Sequence, residues 1–171
     1  MAVTVRRATL ADLTNLVGEA DRYSLNFLPH EAVEGLLRRP NVVIFLALDG
    51  TNVLGWGLCI EEQDAQGRYI LFDRLTHRRR LEAGTDADGA PLLGPKAVEV
   101  YGRIIKAAMG FYARRKPAAG GPVTRSMYTV PDKMWARIQQ LYADSRFAIN
   151  VTIRSAVFDG VNWHVEVGFG A

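Results

Sequence analysis

The chain has a single cysteine in 171 residues, Cys59, so no internal disulfide can form. It lies in the apolar run Leu54–Ile60, where a buried, inert thiol is expected rather than a nucleophile. No apolar run approaches the ~20 residues of a membrane-spanning helix. The longest, Val42–Leu48, suits a buried strand. The opening MAVTVRRATLADL lacks the apolar centre of a secretory signal, so a cytoplasmic location is expected. Only three histidines are present, and none pairs with a cysteine at zinc-binding spacing. No GxSxG elbow and no glycine-flanked Walker lysine occur. Asp86-Ala87-Asp88-Gly89 opens like a calcium loop, but the twelfth position is Ala97, which carries no carboxylate. No metal site is expected.

Neither sign of charge dominates. The net +3 is mild, and the arginines gather at Arg74 with Arg78–Arg80 and again at Arg114–Lys116. Such clusters either meet phosphates or form a solvated loop and a cation-rich helix end. Trp56, Trp135 and Trp163 do not interleave with basic residues as a platform for single-stranded nucleic acid would. Neither a nucleic acid nor a membrane is an expected partner.

What is present describes an ordinary globular domain, 49% hydrophobic and 23% charged. At this length one domain, residues 1–171, is expected to bury roughly two-thirds of its unfolded surface. Residues 3–8 alternate as a strand, and Thr9 offers an N-cap for a helix running from Leu10 to Ala20. A second helix, His30–Arg39, stops before Pro40. Val42–Asp49 and Val53–Glu61 form a hairpin about Asp49-Gly50-Thr51-Asn52, and Arg68–Thr76 is a third strand of that series. From His77 to Gly94 no periodicity is visible, which predicts a long loop. Pro95–Arg115 has an apolar stripe at helical spacing, with Pro95 suited to the first turn. After the connector Pro117–Pro122 come a strand (Val123–Val130), a helix (Asp132–Ala143) and two closing strands (Ile149–Phe158, Val161–Phe169). In the last of these, Trp163 alternates with Val161, Val165 and Val167 and is expected to face a core. The order β-α-α-β-β-β-α-β-α-β-β predicts an α+β domain with a mixed sheet.

One stretch carries more than fold. LYADSRF places Leu141–Tyr142 and Phe147 at the end of the second long helix. With the opening RRATLADL and the whole element order, it resembles the GCN5-related N-acetyltransferases. That family's helix ends in Leu-Tyr…Gly-Phe; here Arg146 stands where the family has Gly. The resemblance implies about seven strands, splayed between the strands Arg68–Thr76 and Val123–Val130, with helices on both faces. It also implies acetyl-CoA as cofactor and Tyr142 as the acid that protonates the cofactor sulfur. Read from packing alone, Tyr142 is a core tyrosine with a satisfied hydroxyl.

Acyl transfer to an amine further needs a base and a cradle for the cofactor pyrophosphate. Asp73 is the candidate base. It alternates with Leu71 and Leu75, so burial would raise its pKa, whereas Arg74 or Arg125 would keep it ionised. His77, just beyond, is its rival. The family's cradle is an Arg/Gln-x-x-Gly-x-Gly/Ala turn. Here Arg80 precedes Gly84 by one residue too many, and Asp86 stands where a second small residue would be. Gly94-Pro95-Lys96 offers a positive helix start, although Pro95 removes one N–H donor. Candidate cofactor ligands are therefore Arg80, Gly84, Gly94 and Lys96, and the alternative is that these glycines only turn the chain.

Two functions stay open. One is an acyl-CoA-dependent N-acetyltransferase acting on a small-molecule or protein amine. The other is an inactive protein of the same fold with a protein partner. The eroded glycine loop is similar to that of some bacteriophage virion and host-interaction proteins, for which a virion location would be expected.

Overall fold

The computed structural model describes residues 3–17, 30–114 and 122–169. Strands β1 (Thr4–Arg7), β2 (Val42–Asp49), β3 (Asn52–Asp64), β4 (Gly67–His77), β7 (Arg125–Pro131), β8 (Val151–Phe158) and β9 (Asn162–Phe169) form one mixed sheet. Its order is β1-β2-β3-β4-β7-β9-β8. Two shorter strands, β5 (Glu82–Thr85) and β6 (Pro91–Leu93), pair separately, and the helices are α1 (Leu13–Val17), α2 (His30–Arg38), α3 (Pro95–Arg114) and α4 (Asp132–Ala143). Contacts cluster the chain into two compact units, and the division falls inside β3, β4 and α3.

The first unit comprises the chain to Leu58 together with Arg74–Ile104. β1 runs antiparallel to β2, from Thr4 opposite Leu48 to Arg7 opposite Phe45. The helix expected from Leu10 opens as a 3-10 turn, Leu10–Asp12, before α1, and its predicted continuation to Ala20 lies outside the described residues. Asp12 accepts the Thr9 amide at 2.8 Å and pairs with Arg6 at 2.7 Å. Both hold its carboxyl below the usual range, the Arg6 hydrogen bond foremost. Leu16, Val33, Ile44, Leu46, Leu54, Val100 and Ile104 are buried here.

The expected loop from His77 to Gly94 is a correction. It contains a 3-10 turn (Arg79–Leu81) and then the β5–β6 hairpin, in which Glu82 lies opposite Leu93 and Thr85 opposite Pro91. A register shift between Glu82 and Thr85 explains why no alternation was readable. Gly84 sits in that irregularity at φ 93°, a backbone conformation that L side chains rarely adopt. The calcium-like Asp86 closes the hairpin turn, accepting the amides of Asp88 and Ala90 at 2.9 and 3.0 Å.

The second unit comprises Cys59–Asp73 and Ile105 onward. β7 and β9 pair antiparallel over seven positions, from Arg125 opposite Gly168 to Pro131 opposite Asn162. β4 and β7 run parallel, and their register covers only Ile70 opposite Ser126 and Leu71 opposite Met127. That short pairing is the splay expected between these strands. β8 begins at Val151 rather than Ile149 and forms the edge of the sheet. Trp135, Ile138 and Leu141 turn one side of α4 into a core that also holds Tyr128, Phe147, Val165 and Val167. Val161, expected to alternate inward with Trp163, is exposed in the β8–β9 turn.

Candidate functional site

α4 begins directly after Pro131, with Asp132 in its first turn where the helix dipole favours an anion. Asp132 also accepts the Trp163 indole N–H at 2.6 Å, fixing the start of the helix to β9. Trp135, one turn on, is the hub of an aromatic group. Its ring lies 6.2 Å from Tyr128, 6.4 Å from Tyr142 and 6.4 Å from Trp163. At the far end of α4 the Tyr142 and Tyr128 hydroxyls hydrogen-bond to each other.

The two phenols differ. Tyr128, on β7, is buried, and Tyr142 is half-buried. Burial raises both pKa values, Tyr128 far above the ordinary phenol range and Tyr142 to about 12. The bond between them works in opposite directions, raising Tyr128 and lowering Tyr142. Either hydroxyl can donate in this bond, and in each case the hydroxyl that accepts keeps its own proton for a third group. Sequence reasoning missed Tyr128; its place on a strand facing α4 was the available signal.

Arg146, at the position where the resemblance has glycine, lies within the turn over residues 145–147 and does not take the left-handed conformation. Ala148, at φ 49°, takes the left-handed conformation among these residues. Arg146 closes on Asp144 at 2.7 Å and lies over the Phe147 ring.

The start of α3, in the first unit, is built differently. Gly94 caps the helix, its carbonyl accepting the Val98 amide at 3.1 Å. Its own N–H donates to the Leu81 carbonyl at 3.0 Å. A Cβ at Gly94 would lie 2.5 Å from that carbonyl oxygen, so glycine is required by close backbone packing. Pro95 has no N–H. Of the four donors that a helix start leaves without intrahelical partners, two are thus removed from an incoming anion. Lys96 is half-buried and its ammonium approaches Glu99 at 3.7 Å. Arg80 is exposed in the 3-10 turn, and Gly84 belongs to the hairpin. Gly94 and Lys96 share the helix start; Arg80 belongs to the 3-10 turn and Gly84 to β5.

Asp73 is exposed, so the burial expected from its alternation with Leu71 and Leu75 is absent. Arg125, named as its possible partner, is buried elsewhere, pairing with Asp64 at 2.6 Å and Glu166 at 2.9 Å. His77 is buried, with Nδ1 2.6 Å from the Tyr101 hydroxyl and Nε2 3.2 Å from Glu82. With Glu82 as carboxylate, Nε2 carries the proton and Nδ1 accepts from Tyr101. Both ring nitrogens are engaged. No helix among the described residues is long and apolar enough to cross a membrane.

No protein-family model and no curated protein matches this chain. Solved structures do. An N-acetyltransferase from Staphylococcus aureus Mu50 superposes with TM-score 0.60 at 7% identity, covering 99% of this chain and 98% of that one. Arabidopsis thaliana NAA60, in complex with a bisubstrate analogue, gives 0.58 at 10% identity, with 98% and 97% covered. The ribosomal-protein-S18-alanine N-acetyltransferase from Escherichia coli gives 0.56 at 9% identity, with 99% and 95% covered. At these identities the likeness is one of fold.

Proposed function

We propose that this chain, which has the fold of the GCN5-related N-acetyltransferases, is an acyl-CoA-dependent N-acyltransferase with Tyr142 as its general acid. The phenol pair carries this reading. A tyrosine held at about 12 stays protonated through neutral pH, and the Tyr128 hydroxyl, in hydrogen-bond reach of its oxygen, would donate to the phenolate formed when the proton leaves. Tyr128 is then a positioning residue. Asp73, exposed on β4, is the candidate base, because a carboxylate open to water can take a proton from an ammonium through it. His77 is less suited, since both its nitrogens are occupied.

Bound acyl-CoA would supply an activated carbonyl and a thiolate leaving group. The helix start fits its pyrophosphate only in part, through the two backbone donors of the first turn and the Lys96 ammonium. Arg80 is a further cation for the same anion. Tyr142 would hold its proton at Oη for the departing sulfur. The acceptor is an amine of small-molecule or protein origin.

A second reading follows from Gly94 and Pro95: a protein that kept the fold, gave up cofactor binding and acts through a protein partner. Calorimetric titration with acetyl-CoA separates the two. Micromolar binding supports the enzyme, whereas no heat at millimolar cofactor supports the scaffold. With binding established, Tyr142→Phe should lower kcat at least tenfold over an amine acceptor panel while leaving the acetyl-CoA affinity unchanged. An unchanged kcat removes Tyr142 from the mechanism.

A further inference from the structure

The basic cluster that begins at Arg114 has no part in the proposed acyl transfer. Lys106, Met109, Gly110 and Arg114 recur at three- and four-residue spacing, so they share one side of the last turns of α3. In the second unit that side forms one wall of a cavity of about 310 Å³. Ile149 and Asn150, just before β8, and Phe169, ending β9, complete it. Its floor is apolar, since Met109, Ile149 and Phe169 are all buried. Its rim holds the exposed Lys106, Arg114 and Asn150, and no acidic residue among the described ones lines it.

Both cations are held at the cavity. The Lys106 ammonium donates to the Ala148 carbonyl at 2.5 Å, which leaves two of its three N–H groups. The Arg114 guanidinium folds back one turn over Gly110, with a terminal nitrogen 3.0 Å from where a Cβ on that glycine would stand. Arg154, on the neighbouring strand, stays out. It is the extra residue of a bulge in β8, and its Nε lies 2.6 Å from where a Cβ on Gly168 would stand. Gly168 and Phe169 face opposite sides of β9.

We propose that this cavity binds a small amphiphilic carboxylate, its apolar chain on Met109, Ile149 and Phe169 and its head on Arg114 and Lys106. A guanidinium takes a carboxylate through two parallel hydrogen bonds. Two cations with no acidic residue beside them favour a negative head, and a buried apolar floor favours a hydrocarbon chain that an inorganic anion lacks. The volume lies at the lower end of the ~300–1,000 Å³ of ligand pockets, so a medium-length chain fits and a two-chain lipid does not. Arg114 also complements the negative end of the α3 dipole, but that role requires neither the apolar floor nor Lys106.

Calorimetric titration of the full chain with sodium octanoate should show one saturable site per chain. Arg114→Gln should weaken binding at least tenfold. Ala113→Trp, at an exposed position lining the cavity, should abolish it by filling the space. Thermal midpoints establish that each variant is folded, and either one suffices if the other is not. 1-Octanol, which has the chain without the charge, should bind at least tenfold more weakly, and so should inorganic phosphate, which has charge without a chain. Absence of saturable octanoate binding at millimolar concentration overturns the proposal. So does full affinity in either folded variant, or octanol or phosphate binding as tightly as octanoate.

Discussion

The end of α4 and the start of α3 make opposite use of the same kinds of group. At the end of α4, Tyr128 and Tyr142 spend one hydrogen bond on each other and leave a hydroxyl proton for something else. At the start of α3, Gly94 gives its amide to Leu81 and Pro95 has none to give, so the donors serve the chain itself. The first arrangement keeps polar capacity in reserve; the second gives up half of it. Aromatic side chains can hold a polar group ready in half-buried surroundings because their rings supply the packing. A helix start has only its backbone, and any carbonyl packed against it competes with a ligand.

The largest effect should come from removing the hub of the first region. Trp135→Ala leaves Tyr128, Tyr142 and Trp163 without their shared ring, and a loss of about 3–5 kcal/mol in denaturant unfolding is expected. A loss below ~1 kcal/mol would mean that the phenols are held by something else. Next comes the second region. Gly94→Ala drives a Cβ into the Leu81 carbonyl, and about 1–3 kcal/mol should be lost because the neighbour is backbone and cannot swing away. An unchanged thermal midpoint would show that the contact is loose enough to admit a ligand.

Tyr128→Phe sharpens the contrast at lower cost. About 0.5–1.5 kcal/mol should go with the hydrogen bond. Spectrophotometric titration should then find Tyr142 ionising at higher pH than in the wild type, since the bond from Tyr128 lowers its pKa. A shift downward would mean that the bond does not stabilise the Tyr142 phenolate. The smallest effect lies in acid. Asp159 is held down to about 2, first by the Asn162 amide and then by the His164 ring at 2.6 Å. Its folded pKa is below the ordinary ~3.9. It therefore stabilises the fold above about pH 4, and that contribution is lost as pH falls toward 2. Asp159→Asn should flatten the stability profile in that window, and an unaltered slope would rule out the contribution.

Much of the frame was legible because periodicity survives wherever one face is buried. Val42–Asp49 and Asp132–Ala143 were read to the residue, and the remaining sheet strands to within three. The hairpin after β4 was not, because its strands are three and four residues long and one is irregular at Gly84. Tyr142 was found through its neighbours in LYADSRF. Its partner Tyr128 was missed: its strand facing α4 could be read, but a hydrogen bond between residues fourteen apart leaves no local pattern. Asp73 misled for a related reason. Alternation with Leu71 and Leu75 predicts a shared face, but both leucines are only half-buried, so that face is not a core.

The bulge in β8 also determines where this gene can tolerate losing a codon. Ile153 pairs with Val167 and Ser155 with Glu166, so Arg154 is surplus to the ladder. Deleting it would leave every pairing in place and restore plain alternation. Deleting any other residue well inside the strand would turn one end of it inside out, exchanging the side chains that face α4 with those that face away. Length variation in this strand should therefore collect at one position.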